Sequence, residues 1–255
     1  MVQSTANATK GLSKALLDEA VPYAKKIIDG LNASQSQFHA VSYCADQLKQ
    51  NGFTEVKETD KWTLEPGKGY FFTRNGSTIC AFLAGSKVGK EPIHSFKIVG
   101  CHTDSPVLKL APFSKKEFLG YNQVNVMTYG GGLWRTWFDR DLNLAGKVVI
   151  RTGEQRQNLE SRTWASGRPL LSIPSLCIHL DTERDVFKIN KETHLKPIMA
   201  TSIINGIFGE GVERIDDDKF KVEDRHLSTL TDLIAKDLGI DRGQIVDFEL
   251  NLCDT

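Results

Sequence analysis

The stretch Ser95 to Pro106, SFKIVGCHTDSP, decides how the rest of the chain is read. Ile98 and Val99 sit in an apolar run short enough for a buried β-strand, and Gly100 lets the backbone pass close to neighbouring structure where that strand would end. Pro106 closes the segment. His102 then falls just beyond a strand end, where ligands collect in open α/β sheets. Asp104, two residues on, is placed to bond one imidazole nitrogen, which would fix the tautomer and leave the other nitrogen as a metal ligand. A His-x-Asp tripeptide by itself occurs in many surface loops, so it is the strand pattern before it that carries the metal reading.

Upstream, residues 13–31 carry apolar residues at helical spacing, with Pro22 expected to kink or divide the helix and Gly30 to end it. A second helix is capped by Ser34 or Ser36, presents Phe38, Val41, Ala45 and Leu48 as one apolar stripe, and stops at Asn51-Gly52. It should pack on a sheet. From Phe53 the period changes to two: FTEVKE, a strand through Tyr70, Phe71 and Phe72, then a return strand through Ile79, Ala81 and Leu83. Asn75-Gly76 between the last two is a strong hairpin signal. Gly85, Gly89 and Lys90 fall one residue short of a phosphate-binding loop, and Glu91 stands where a magnesium-binding Ser or Thr would be needed.

Downstream of Pro106 the pattern becomes short alternating strands punctuated by Gly and Pro, in QVNVMTY, LAGKVVIRTG, PSLCIHL and HLKPIMATSI. In PSLCIHL, Leu176, Ile178 and Leu180 alternate with Cys177 and His179, which puts the histidine on the strand face opposite the three apolar side chains. HLSTLTDLIAKDLGI returns to helical periodicity, and IVDFELNL is an alternating strand. Gly130-Gly131-Gly132 lacks the dinucleotide fingerprint and reads as a tight backbone passage, with Trp134, Trp137 and Phe138 filling core or interface. Asp139, Arg140 and Asp141 form ion pairs or face water. The chain thus divides into an α/β part over 1–106, a mainly β part over 107–243, and a returning α/β segment over 244–255.

Composition narrows the function classes. The 255 residues are 40% hydrophobic, ample for a sizeable core, and 32 basic side chains balance 32 acidic ones, so no bulk field draws the chain to nucleic acid or an anionic membrane. Five scattered cysteines without a C-x-x-C pair argue against a disulfide framework and a cysteine-type zinc site. No apolar run approaches the roughly 18 residues of a membrane helix, and the N-terminus has no signal-like segment, so a cytoplasmic protein is expected. His39, His94, His194 and His226 are read as packed or solvated rather than as ligands.

Several strings, taken together and in order, resemble the aspartyl aminopeptidases, zinc metallopeptidases of the cytosol that remove acidic residues from peptide N-termini. They are LKQNGFTEV, the W-x-L-x-P-G-x-x-Y of Trp62 to Tyr70, TRNGSTICAF, GCHTDSP, TYGGGLWRTWFDRDLNLAG, RPLLSIPSLCIHL and ELNLCDT. The long string around Gly130 is the most specific. The resemblance implies a zinc-peptidase-like α/β catalytic domain interrupted by a mainly β assembly domain, two zinc ions per complete active site, and a homo-oligomer built from dimers, up to a dodecamer. It makes His102 a zinc ligand, Asp104 the acidic catalytic-site residue beside it, and His179 a substrate-binding residue that reaches across the dimer interface. It also implies that the bridging aspartate, the glutamate base and the other ligands lie beyond Thr255, leaving the catalytic domain truncated. Two alternatives stay open: another metal-dependent hydrolase of the same fold, and a non-catalytic interaction module.

Overall fold

The computed structural model describes residues 13–89, 95–153, 156–201, 203 and 221–254. Helix α1 (Lys14–Ala33) is capped by Ser13, whose side chain accepts the Leu16 N–H. It runs unbroken through Pro22 and past Gly30, contrary to the expected division. The bond that Pro22 cannot make would go to the Asp18 carbonyl, and that turn is exposed to water. Helix α2 (Gln37–Gln50) starts where the sequence places it. The Ser36 hydroxyl accepts the His39 N–H, and Asn51 and Gly52 end the helix, Gly52 at φ +80°.

Strands β1 (Thr54–Glu55), β2 (Gly69–Arg74) and β3 (Thr78–Leu83) form a three-stranded sheet in that order, β1 parallel and β3 antiparallel to β2. The FTEVKE stretch contributes only the two residues of β1. Asn75 and Gly76, at φ 53° and 65°, make the expected two-residue turn, closed by the Ser77 N–H on the Arg74 carbonyl at 3.0 Å.

The second sheet is antiparallel, in the order β7-β6-β9-β4-β5-β8. Its strands are β4 (Val107–Phe118), β5 (Tyr121–Tyr129), β6 (Leu142–Thr152), β7 (Asn158–Ala165), β8 (Ile198–Thr201) and β9 (Ile245–Asp254). One face packs with the short helix α3 (Val222–Arg225) and with α4 (Ser228–Leu238), burying Leu144, Val148 and Leu250 among Leu230 and Ile234. Trp134, at the start of a 3-10 turn (Trp134–Trp137), is buried in the same core. IVDFELNL, expected to begin the returning segment, lies inside this sheet between β6 and β4. At its tightest point a Cβ on Gly146 would stand 1.9 Å from the Glu249 carbonyl oxygen, so only glycine lets β6 and β9 pair there.

The start of α2 covers the opposite face. The Gln35 side chain accepts from Asn143, the Gln35 carbonyl lies 2.8 Å from Cys253 Sγ, and Lys147 lies 4.6 Å from the Phe38 ring centroid. Burial pushes the Cys253 thiol up to about 12, which makes it a packing group and not a nucleophile.

Two expected strands do not form. Residues 95–100 take no strand assignment, and Ile98 and Val99 are 85% and 98% exposed. A run with apolar residues on both faces holds as a strand only when layers cover both sides, and no strand among the described residues pairs with it. PSLCIHL is also irregular. His179 sits in a turn closed by the Leu180 N–H on the Cys177 carbonyl at 2.9 Å, so the strict alternation of faces does not apply.

Candidate metal-binding site

His102 and Asp104 lie in a loop between the exposed segment and β4, and side chains rather than a sheet hold it. The Thr103 hydroxyl donates to the Ser77 carbonyl at 2.7 Å, tying the loop to the start of β3. Pairing of Val107 with Tyr129 at the end of β4 and β5 brings the Tyr129 hydroxyl to Asp104 Oδ2, to which it donates a short hydrogen bond.

Within the loop, His102 Nδ1 stands 2.5 Å from the Asp104 carbonyl oxygen and 3.4 Å from Asp104 Oδ1. Both are acceptors, so Nδ1 carries a proton, and in the neutral imidazole it is Nε2 that keeps the lone pair. The ring is exposed. The Tyr129 bond holds the Asp104 carboxyl below the usual carboxylate range, and the same bond raises the Tyr129 phenol above its ordinary value.

The loop opens onto a polar cleft of about 560 Å³ between the β2–β3 turn, the first turn of α2 and the edge where β4, β6 and β9 meet. Across it runs a chain of polar contacts. Lys109 Nζ lies 4.5 Å from the Tyr129 ring centroid and 2.5 Å from Glu249 Oε1. The Gln37 side chain donates to the same Glu249 oxygen at 2.9 Å and accepts from Asn251 at 2.9 Å.

The structure therefore brings His102 and Asp104 together, with the short contact to Nδ1 made by the Asp104 main-chain carbonyl and the carboxylate standing farther off at 3.4 Å. It leaves His179 apart, on an exposed turn that does not line this cleft. The base of the His179 loop is held by Asp139, at φ 58°. Its N–H donates to the Ile173 carbonyl and its carboxylate accepts the Ser175 N–H, both at 2.9 Å. Tyr129, Lys109 and Glu249 were not singled out in the sequence. Only Tyr129 carried a signal, as the residue that opens the glycine triplet.

An imidazole nitrogen is a donor that zinc takes, and among the described residues His102 is the one imidazole lining this cleft. Among the described residues no group of three or more His, Cys, Asp or Glu could hold a metal ion.

Comparison with known proteins identifies the family. The family described as Aminopeptidase I zinc metalloprotease (M18) matches residues 31–255. The aspartyl aminopeptidase of Dictyostelium discoideum is 40% identical over 251 residues, which is 94% of this chain and 51% of that protein. A chain of the cryo-EM structure of the Ape4 and Nbr1 complex superposes with a TM-score of 0.82 at 39% identity, over 95% of this chain and 46% of that one. The S. cerevisiae mApe1 dodecamer gives a TM-score of 0.69 at 23% identity, over 91% and 48%, a likeness of fold.

The fold likeness and the family match together define the class as an α/β metalloprotease. The chain belongs to the Aminopeptidase I zinc metalloprotease (M18) family and spans about half the length of the curated relatives it matches.

Proposed function

We propose that this chain supplies the His102–Asp104 part of a zinc aminopeptidase site that acts on peptides with an N-terminal Asp or Glu. The observation that carries the reading is the commitment of His102 Nδ1 to Asp104, which leaves Nε2 as the metal-facing nitrogen. The names of the relatives support the acidic specificity. Zinc bound there would polarise a scissile carbonyl and lower the pKa of a bound water; the full site takes two ions. His102 holds the metal, Asp104 fixes the imidazole, and Thr103 anchors the loop to the hairpin.

Residues 107–243, in this reading, form the assembly domain of a cytoplasmic homo-oligomer, and the exposed His179 reaches a neighbouring subunit's substrate. Catalytic zinc sites use about three protein ligands, so one histidine does not complete one. The 255-residue chain with added zinc is expected to hydrolyse Asp- and Glu-p-nitroanilide at background rate and to bind zinc weakly, with the binding lost in His102→Ala. Chelator competition and a substrate panel test this. Equal zinc affinity in wild type and His102→Ala, or hydrolysis that favours neutral or basic residues, would contradict it.

A further inference from the structure

The loop that carries His102 rests directly on the glycine triplet, and this contact assigns a role to Tyr129. Gly130 has φ +71°, and a Cβ there would lie 3.2–3.3 Å from Pro106 Cβ, Cα and Cγ. Glycine is thus the residue that lets the end of β5 close against the proline ending the loop. One residue earlier, Tyr129 is paired with Val107, three positions past Asp104, so its phenol reaches back over the loop. The ring is steadied from below by Lys109, which Glu249 and Gln37 hold in turn.

We propose that Tyr129 is a positioning residue for the metal site: its hydroxyl holds the Asp104 carboxylate in the one orientation that keeps the second oxygen toward His102 Nδ1. Asp104 is exposed and, among the described residues, its carboxylate is held by the Tyr129 hydroxyl, by its own backbone N–H and, at 3.4 Å, by His102, so loss of the hydroxyl removes the largest of these restraints. The imidazole then loses part of what fixes its tautomer. If Tyr129 only packed, phenylalanine would serve equally well. The consequence for zinc rests on the reading of His102 as a ligand, but the positioning itself is read without metal.

The test uses the metal-free chain with 15N-labelled histidine, at a pH where His102 is neutral, in wild type, Tyr129→Phe, Asp104→Ala and the double variant, with His102→Ala for assignment. Wild type should hold the Nδ1–H tautomer. Tyr129→Phe should move the ratio several-fold toward Nε2–H, and adding it to Asp104→Ala should change nothing further. Zinc affinity in Tyr129→Phe should fall about tenfold, the lower end of the range for lost outer partners of a ligand. A tautomer unmoved by Tyr129→Phe, an equal shift in the Asp104→Ala background, or an Nε2–H wild type would overturn the proposal. Failure of the zinc reading would show separately, as zinc binding that ignores His102→Ala whatever the tautomer does.

Discussion

His226 lies 1% exposed beneath β4, with its Nδ1 2.7 Å from the buried Ser114 hydroxyl and the Phe248 ring 4.3 Å away centroid to centroid. Its Nε2 has no hydrogen-bond partner among the described residues. Burial, aided by the Arg225 charge and opposed by Asp247, pushes its pKa from 6.5 down to about 4. Above pH 6.5 neither folded nor unfolded chain carries the proton, so the group contributes nothing to pH dependence there. Below it the unfolded state takes up the proton first, so stability falls between pH 6.5 and 4 and then levels, by at most about 3 kcal/mol. Urea denaturation at pH 7, 5 and 4 should show that loss in wild type and a smaller one in His226→Gln; equal pH slopes would contradict it. The sequence left His226 as packed or solvated, and the structure packs it. Its partner Ser114, 112 residues away, could not be read there, because the pairing exists only through the fold.

Asp139 is legible in a similar half-measure. The FDRD stretch offered charges for pairing, and the structure uses Arg140 against Asp254, but Asp139 instead takes a backbone N–H at the base of the His179 loop. That bond holds its carboxyl below the usual range. Asp139→Ala should speed exchange of the Ser175 amide by about tenfold, the equivalent of about 1.4 kcal/mol for a lost charged hydrogen bond. Unchanged exchange at Ser175 would show that the loop is held elsewhere.

At the scale of elements, local signals were readable wherever neighbours in sequence decide the outcome. The Ser36 cap, the Asn51-Gly52 stop and the Asn75-Gly76 hairpin all stand where expected. Ser36→Ala should cost about 1 kcal/mol, measured as a lower denaturation midpoint. An unchanged midpoint would mean that contacts of Phe38 and Val41 alone hold the helix. The segment 95–100 marks the limit of such reading. Periodicity reveals that Ile98 and Val99 suit a buried strand and says nothing of what would lie over them; here they lie open, as do Leu17, Val21, Ile28 and Leu31 along α1. Limited chymotrypsin digestion should therefore cut at Phe96 before any site in the six-stranded sheet. First cleavage within β6 or β9 would contradict that order.

For the whole molecule, the two sheets are joined by the start of α2, which meets β6 and β9 through Gln35, Gln37 and Phe38, so the His102 loop is fixed from both sides. The resemblance carried in the GCHTDSP and TYGGG strings anticipated that these stretches matter. The structure adds that they touch, through Gly130 on Pro106 and Tyr129 on Asp104. In the proposed site His102 offers Nε2 to a metal with Asp104 at its back. The most direct measurement is a zinc titration of the labelled chain read at the six histidine imidazoles. The His102 Nε2 resonance should move first and saturate, with Nδ1 remaining protonated, and zinc should bind more weakly in Asp104→Ala. Zinc that shifts other histidines while His102 stays still, or that binds His102 through Nδ1, would contradict the account.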